Sequence, residues 1–485
     1  MNWRIISRDV GYALLVSALF MFLSVGVSLL NGHDSALAAL TISFCITFFT
    51  GIFPFIFVHE SSNITLKEGY VIITLSWLLS FIFGMLPYAL WGGPFSIQNA
   101  WFESVSGFTT TGATALENVE ILPKSLLFWR SSTHFIGGLG VVMFLLLIIP
   151  DTSPVKMRLT SMELSSLSKV GYSSSTGKTV YIFAYVYLGI FALALVSYWI
   201  AGMPFFDAVC HAMSVCACGG FSTRNLSILA FDSRLIEALT IFFMVVASCH
   251  FGLIFISVVN RTLRPLNNPV LKFYLGSLAL MSVFVGISIK AYGFADSLPT
   301  ALWQGLFQTV STASTTGFAI TDNADWTLLP DMLLMSVAVM CGCAGSTTGG
   351  IKADRVLVLF KSIGRQIGKI LHPSSVNEVK IGGQVLRDEQ VSPQILYIAL
   401  YFLILGLSIL ACLLSGMDSS SSFGGALCCL SNVGPSIREV GMMGNYGAIP
   451  FASKLVLTFD MFLGRIEIYP VLTVLALVFE RRRRR

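Results

Sequence analysis

The sequence predicts an all-α integral membrane protein: an N-terminal two-helix hairpin followed by four helix–pore loop–helix repeats. Two observations carry that reading. Hydrophobic residues make up 55% of the chain and charged residues only 11%, with a mean hydropathy of +0.79, far from the balance of a soluble globular domain. In addition, four short segments read as one motif written four times: Thr109-Thr110-Thr111-Gly112-Ala113-Thr114, Ala217-Cys218-Gly219-Gly220-Phe221-Ser222, Ser314-Thr315-Thr316-Gly317-Phe318-Ala319 and Ser431-Asn432-Val433-Gly434-Pro435-Ser436. Their glycines, Gly112, Gly220, Gly317 and Gly434, recur at intervals of about a hundred residues, room for two spans, a loop and a half-span.

The elements follow in order. The first apolar run, Val10–Leu30, comes after Arg4 and Arg8, as a signal peptide would. It is too long for such a core, and a second span, Leu37–Val58, follows at once, so it reads as a retained anchor. Further spans fall near Val71–Leu90, Leu127–Ile149, Val180–Ile200, Leu235–Val259, Phe273–Tyr292, Met332–Phe360, Pro393–Leu414 and Lys454–Phe479. Between them lie four apolar segments too short to cross: Ile97–Phe108, Pro204–Val215, Thr300–Ser311 and Phe423–Leu430. Such re-entrant half-helices are tolerated at membrane depth only where the backbone beyond them is buried or faces water. The expected division is a hairpin at 1–68 and repeats at 69–170, 171–265, 266–390 and 391–485, the third with an interrupted second helix.

An even number of spans puts both termini on one side. That side receives most of the 30 lysines and arginines, including Lys156, Arg158, Lys169, the stretch Lys352–Arg387 and the terminal Arg481–Arg485, so it is expected to be cytoplasmic. The opposite face carries Asp34, Glu103, Glu117, Glu120, Asp207, Asp232, Asp296, Asp322, Asp325, Asp331 and Asp418. These acids either concentrate cations at an outer mouth or are ordinary solvated loop residues. The ten cysteines lie mostly in apolar runs without zinc spacing and read as small buried residues. Gly137-Gly138-Leu139-Gly140 has no strand before it, and Gly345 to Lys352 lacks the Gly-Lys pair of a phosphate loop, so no nucleotide site or organic cofactor is expected.

Four backbone loops, each preceded by a half-helix, suit a ring of carbonyls around one central ion pathway. Glycine permits positive φ and close approach of the chain to an ion; Thr and Ser can brace the strand from behind; and the half-helix turns its negative end toward the centre. Carbonyl rings of this kind replace a cation's hydration shell. The expected ion ligands are Thr110, Thr111 and Gly112; Cys218, Gly219 and Gly220; Thr315, Thr316 and Gly317; and Asn432, Val433 and Gly434.

With the segments Ser106–Thr114, Gly219–Thr223, Ser314–Ala319, Gly345-Ser346-Thr347-Thr348-Gly349-Gly350-Ile351-Lys352 and Gly464-Arg465-Ile466-Glu467-Ile468-Tyr469-Pro470 in place, the chain resembles a TrkH-type subunit of the Trk/Ktr/HKT potassium transporter superfamily over essentially all of its length. The resemblance implies that the transported ion is potassium and the location a bacterial inner membrane. It also implies a homodimer and a cytoplasmic nucleotide-binding regulator of the TrkA type; no nucleic-acid partner is expected. In that family a glycine at the first filter position goes with potassium selectivity, and a serine with sodium transport in some plant relatives. Cys218-Gly219 and Asn432-Val433 depart from the Thr-Thr of repeats one and three.

The resemblance further implies that Gly345, Ser346, Thr347, Thr348, Gly349 and Gly350 form an intramembrane loop beneath the filter that obstructs permeation and moves on gating; a plain kink is the alternative. Arg465 sits either under the filter, repelling cations, or tied to a buried carboxylate or carbonyl in packing. Lys352 is a cytoplasmic anchor or a cation in the lower cavity. Arg130 and His134 read as structural hydrogen-bonding groups. The basic stretch Lys352–Arg387 faces the regulator or anionic lipid of the bilayer. A proton- or sodium-coupled symporter would need a coupling carboxylate, for which Glu103, Asp460 and Glu467 are the candidates. A membrane hydrolase would need a histidine constellation that six scattered histidines do not suggest.

Overall fold

The computed structural model describes residues 2–58, 65–140, 176–373, 378–382 and 384–483. Six of its helices are long and apolar enough to cross a membrane: Trp3–Leu30, Leu37–Phe57, Lys67–Trp91, Val180–Ile200, Pro269–Ala291 and Asp388–Leu414. The protein is therefore a multi-pass, essentially helical membrane protein. The first two helices cross closely: a carbon added at Gly11 would lie 2.6 Å from the Gly51 carbonyl oxygen, the small-residue contact that lets membrane helices pack. Asp34, after the first helix, accepts from the Ser125 hydroxyl at 2.9 Å and its amide at 3.2 Å, tying this hairpin to the next segment.

From Leu66 onward one order of elements appears four times: a span, a half-helix, an extended stretch and a second helix. The half-helices are Ile97–Phe108, Phe205–Cys216, Leu298–Ala313 and Ser419–Leu430. Ser96, Ser297 and Asp418 cap the N-termini of three of them by accepting backbone amides, satisfying donors that a helix end leaves open. The half-helices bury almost their whole inner length, with Phe102, Phe108, Val215, Phe307 and Leu430 fully enclosed.

The second helices differ from expectation. Where continuous spans were expected at Leu235–Val259 and Lys454–Phe479, the chain breaks. Arg234–Ser248 and Phe251–Val259 are bent by 100° at Cys249-His250. Phe451–Ile466 gives way to Ile468–Arg483 at Glu467, whose φ is +68°. The third segment is interrupted between Leu328–Met340 and Ala353–Leu371. In the first, Lys124–Leu139 ends at Gly140; the remainder of the span expected at Leu127–Ile149 lies outside the described residues, as do Lys156, Arg158, Lys169, Arg484 and Arg485. Apolar composition hid these breaks because hydropathy reports the medium around a segment, not the direction of its backbone. The all-α expectation needs one amendment: Val379–Ile381 pairs antiparallel with Gln384–Leu386. This hairpin packs Val379 with Val358 and Val391 in a small separate core.

Candidate functional site

Each half-helix ends in the same way. Thr110, Cys218, Thr315 and Asn432 adopt φ of +53°, +54°, +55° and +57°. The amide of each bonds back to the carbonyl three residues earlier, and the next amide to the carbonyl five earlier: Thr111 to Ser106 and Gly219 to Ser214 at 2.9 Å, Thr316 to Ser311 at 2.9 Å and Val433 to Cys428 at 2.8 Å. This is a Schellman C-cap, with a side-chain-bearing residue where glycine is usual. The left-handed conformation costs such residues about 1–2 kcal/mol each, strain of the kind that collects at functional sites. Two residues on, Gly112, Gly220, Gly317 and Gly434 are again left-handed, at +79°, +79°, +75° and +82°.

The four triplets meet in a closed cycle. A carbon added at Gly112 would strike the carbonyl oxygen of Gly219, one at Gly220 that of Thr316, one at Gly317 that of Val433, and one at Gly434 that of Thr111. Each glycine thus faces the middle carbonyl of the next loop, and the last returns to the first. Side chains brace the ring from behind. Thr109 and Thr111 hydroxyls lie 2.8 Å apart, as do those of Ser314 and Thr316. In the fourth loop the Asn432 amide donates to Thr111 Oγ1 at 3.0 Å and to the Met461 carbonyl at 2.8 Å. The ring of His134 stacks on Phe221 at 4.0 Å, and its Nδ1 accepts the Phe221 amide at 3.4 Å. Thr110 Oγ1 is buried with no hydrogen-bond partner among the described residues.

An open cavity adjoins the ring, lined by Gly112, Gly220, Gly317 and Pro435. It is not uniformly acidic. Glu117 lines it, but so do Arg130 and Arg224. Glu103 is buried against Arg130 at 2.5 Å and Asp207 against Arg224 at 3.0 Å. Arg130 also lies 3.5 Å over the Phe221 ring. Tyr446, in the outer stretch of the fourth segment, donates its hydroxyl to the Gly434 carbonyl at 2.7 Å.

On the other side of the triplets lies the stretch 341–352, buried along nearly its whole length. The Thr347 hydroxyl is 3.1 Å from Cys218 Sγ and 3.2 Å from the Cys216 carbonyl. The Gly349 amide donates to Thr315 Oγ1 at 3.4 Å, and a carbon on Gly349 would meet Asn432 Oδ1 at 2.5 Å. Ser346 and Thr348 bond each other at 2.7 Å, while Gly345 accepts the Phe251 amide at 2.9 Å and Gly350 packs on Cys341. The loop therefore touches the first triplet residue of three segments. Arg465 joins it to the remaining one, donating to the carbonyls of Thr347 at 2.6 Å, Gly137 at 2.5 Å and Gly138 at 2.9 Å. The guanidinium is thus bound to three backbone carbonyls, one of them in the loop.

Two residues beyond Arg465, Glu467 accepts Arg355 at 2.8 Å and Lys352 at 3.4 Å. Arg355 also donates to Gln394 Oε1 at 2.9 Å and lies 3.9 Å over the Tyr397 ring. Counting Arg355 only among cytoplasmic cations missed this role. The available signal was its place one turn past the Gly-rich interruption, with an unpaired acid elsewhere in an apolar run. The third coupling candidate, Asp460, accepts Ser408 at 2.7 Å between two helices of the fourth segment. So Glu103 and Glu467 are ion-paired and Asp460 is directed at a neighbouring helix.

Comparison with known proteins agrees with this geometry. Residues 36–483 match the family described as TrkH, cation transport protein. The chain is similar to the Trk system potassium uptake protein TrkH of Salmonella typhimurium, 32% identical over 99% of this chain and 100% of that one. It is also similar to the Trk system potassium uptake protein TrkG of Escherichia coli K12, at 31% identity over 99% of each. The crystal structure of the potassium transporter TrkH from Vibrio parahaemolyticus superimposes with a TM-score of 0.88 at 31% identity, covering 98% of this chain and 99% of that one.

Proposed function

Because this chain belongs to the TrkH family of cation transport proteins, which are transporters and not enzymes, we infer that it takes up potassium across a bacterial inner membrane through a filter built from its four triplets. The observation that carries this is the closed cycle in which each filter glycine faces the next loop's carbonyl. A cation on the axis of such a ring exchanges hydration water for backbone oxygens. The orphan hydroxyl of Thr110 supports a polar occupant at the base of the ring. The architecture is an N-terminal hairpin, residues 1–68, and four repeats at 69–170, 171–265, 266–390 and 391–485 around that axis, with both termini cytoplasmic.

Gly345–Gly350 and Arg465 close the path below the filter. The loop gives a steric block, and the guanidinium adds a repulsive charge. Opening moves the loop away from Cys218, Thr315 and Asn432 under the control of a cytoplasmic nucleotide-binding partner, and the transporter works as a homodimer in the bilayer. Passive permeation is favoured over symport because Glu103 and Glu467 are ion-paired with arginines. The test is flux of K+, Rb+, Cs+ and Na+ into proteoliposomes, with reversal potentials measured across a pH gradient. Potassium preference with a reversal potential independent of pH is the expected result. Equal passage of sodium removes the filter reading, and a pH-dependent reversal potential replaces the channel by a symporter.

A further inference from the structure

The four filter loops are not equally supported on their outer side. Among the described residues, the carbonyls of Gly112, Gly220 and Gly317 accept no hydrogen bond, whereas that of Gly434 accepts the Tyr446 hydroxyl at 2.7 Å. The same tyrosine reaches the first loop: its backbone amide donates to the Thr114 carbonyl at 2.8 Å, two residues beyond Gly112. Its ring is fully buried and packs on Phe102 of the first half-helix, with centroids 5.3 Å apart. One residue further on, a carbon at Gly447 would lie 2.9 Å from the Ala115 carbonyl. The stretch that carries Tyr446 is itself fixed, since Asn323 of the third segment donates to the Ser436 carbonyl at 2.8 Å and accepts the Met442 amide at 2.7 Å.

We propose that Tyr446 is a specificity-determining positioning residue, fixing the Gly434 carbonyl and the join between the fourth and first loops so that the outer ring of the filter discriminates among monovalent cations. The proposal rests on the reading of the triplets as a potassium filter. The physical argument is that a carbonyl free to swing adapts to a smaller ion, whereas one held by a donor keeps its distance and part of its charge is already engaged. Three carbonyls at the glycine level are free to face a cation and one is held. The ring is therefore asymmetric, with its stiffest point at the fourth loop.

The test is Tyr446→Phe in the full chain, reconstituted in proteoliposomes beside the unaltered protein, with K+, Rb+ and Na+ fluxes compared. The phenylalanine keeps the ring and its packing but removes the donor. The K+/Na+ flux ratio should fall about three- to tenfold, the size of one neutral hydrogen bond, with melting temperature and maximal K+ flux little changed. A ratio equal to that of the unaltered protein overturns the proposal. Phe102→Leu disturbs the ring's packing and leaves the hydroxyl bond; it should keep the ratio, and an equal fall there also overturns the proposal. If Tyr446→Phe does not fold, a fluorinated tyrosine at 446, a stronger donor of nearly the same shape, should raise the ratio, and no change refutes the idea. Absence of K+ flux in the unaltered protein is a separate outcome that removes the filter reading and this proposal with it.

Discussion

Replacing Gly112, Gly220, Gly317 and Gly434 one at a time by alanine tests the proposed filter directly. At each position φ lies between +75° and +82°, which costs a side-chain-bearing residue about 1–2 kcal/mol. The added carbon then falls on the next loop's carbonyl oxygen, a backbone atom that moves only if its own loop moves. Overpacking of this kind costs about 1–3 kcal/mol more. The sum, roughly 2–5 kcal/mol, is relieved by widening the ring, so the loss appears in ion discrimination more than in folding. Even the lower figure corresponds to more than tenfold in relative affinity. The clash is tightest at Gly220 and loosest at Gly317, so Gly220→Ala should lose the most K+/Na+ selectivity and Gly317→Ala the least. Gly112→Ser falls between them and adds a hydroxyl. The assay is the flux ratio in proteoliposomes at matched protein density. A Gly220→Ala protein with the unaltered ratio, or a series in which Gly317→Ala is the most damaged, refutes the cyclic contact as the origin of selectivity.

Three further outcomes are expected. Arg465→Ala should raise potassium flux in the absence of any regulator: a guanidinium about 4 Å from an ion costs roughly 4 kcal/mol at an effective dielectric near 20, several hundredfold in occupancy. Unaltered flux or loss of folding would assign the arginine to packing alone. Shortening Gly345–Gly350 should likewise speed uptake and keep the ion preference, and a deletion no faster than the unaltered protein would reduce the loop to a kink. Arg130→Met, which strands the fully buried Glu103, should cost about 3–5 kcal/mol, read as a lower melting temperature in detergent; Glu103→Leu added to it should restore part of the loss.

Much of this arrangement was legible in the sequence. The half-helices appear as apolar runs of about the right length, and the triplets as repeated small and hydroxyl residues, because both features follow from local chemistry. The ends were harder. Hydropathy treats Leu235–Val259 as uniform, yet His250 marks a bend of 100°, and Glu467 takes a left-handed conformation that no glycine announces. Both polar residues stood in apolar runs, and Pro470, three residues past Glu467, was a further sign of the second break. The outer acids misled for another reason. Glu103 and Asp207 are far in sequence from Arg130 and Arg224, so their neutralisation is a property of tertiary packing. The pairing of Val379–Ile381 with Gln384–Leu386 was missed because three-residue strands leave almost no periodic signal.

The left-handed residue that begins each triplet is Thr, Cys, Thr and Asn in turn, and a buried Gly-rich loop like 341–352 occurs in the third segment alone among the described residues. In an assembly of four identical subunits a substitution is made four times or not at all, so the axis changes in one large step. Here the four quarters are joined covalently and inherited together, yet each mutates alone. On the filter reading proposed above, field strength, girth and closure along the path would thus be adjustable a quarter at a time. If that loop is the plug proposed above, its single copy would let one wall move while three stay in place, so opening within one chain would need no concerted motion of four parts.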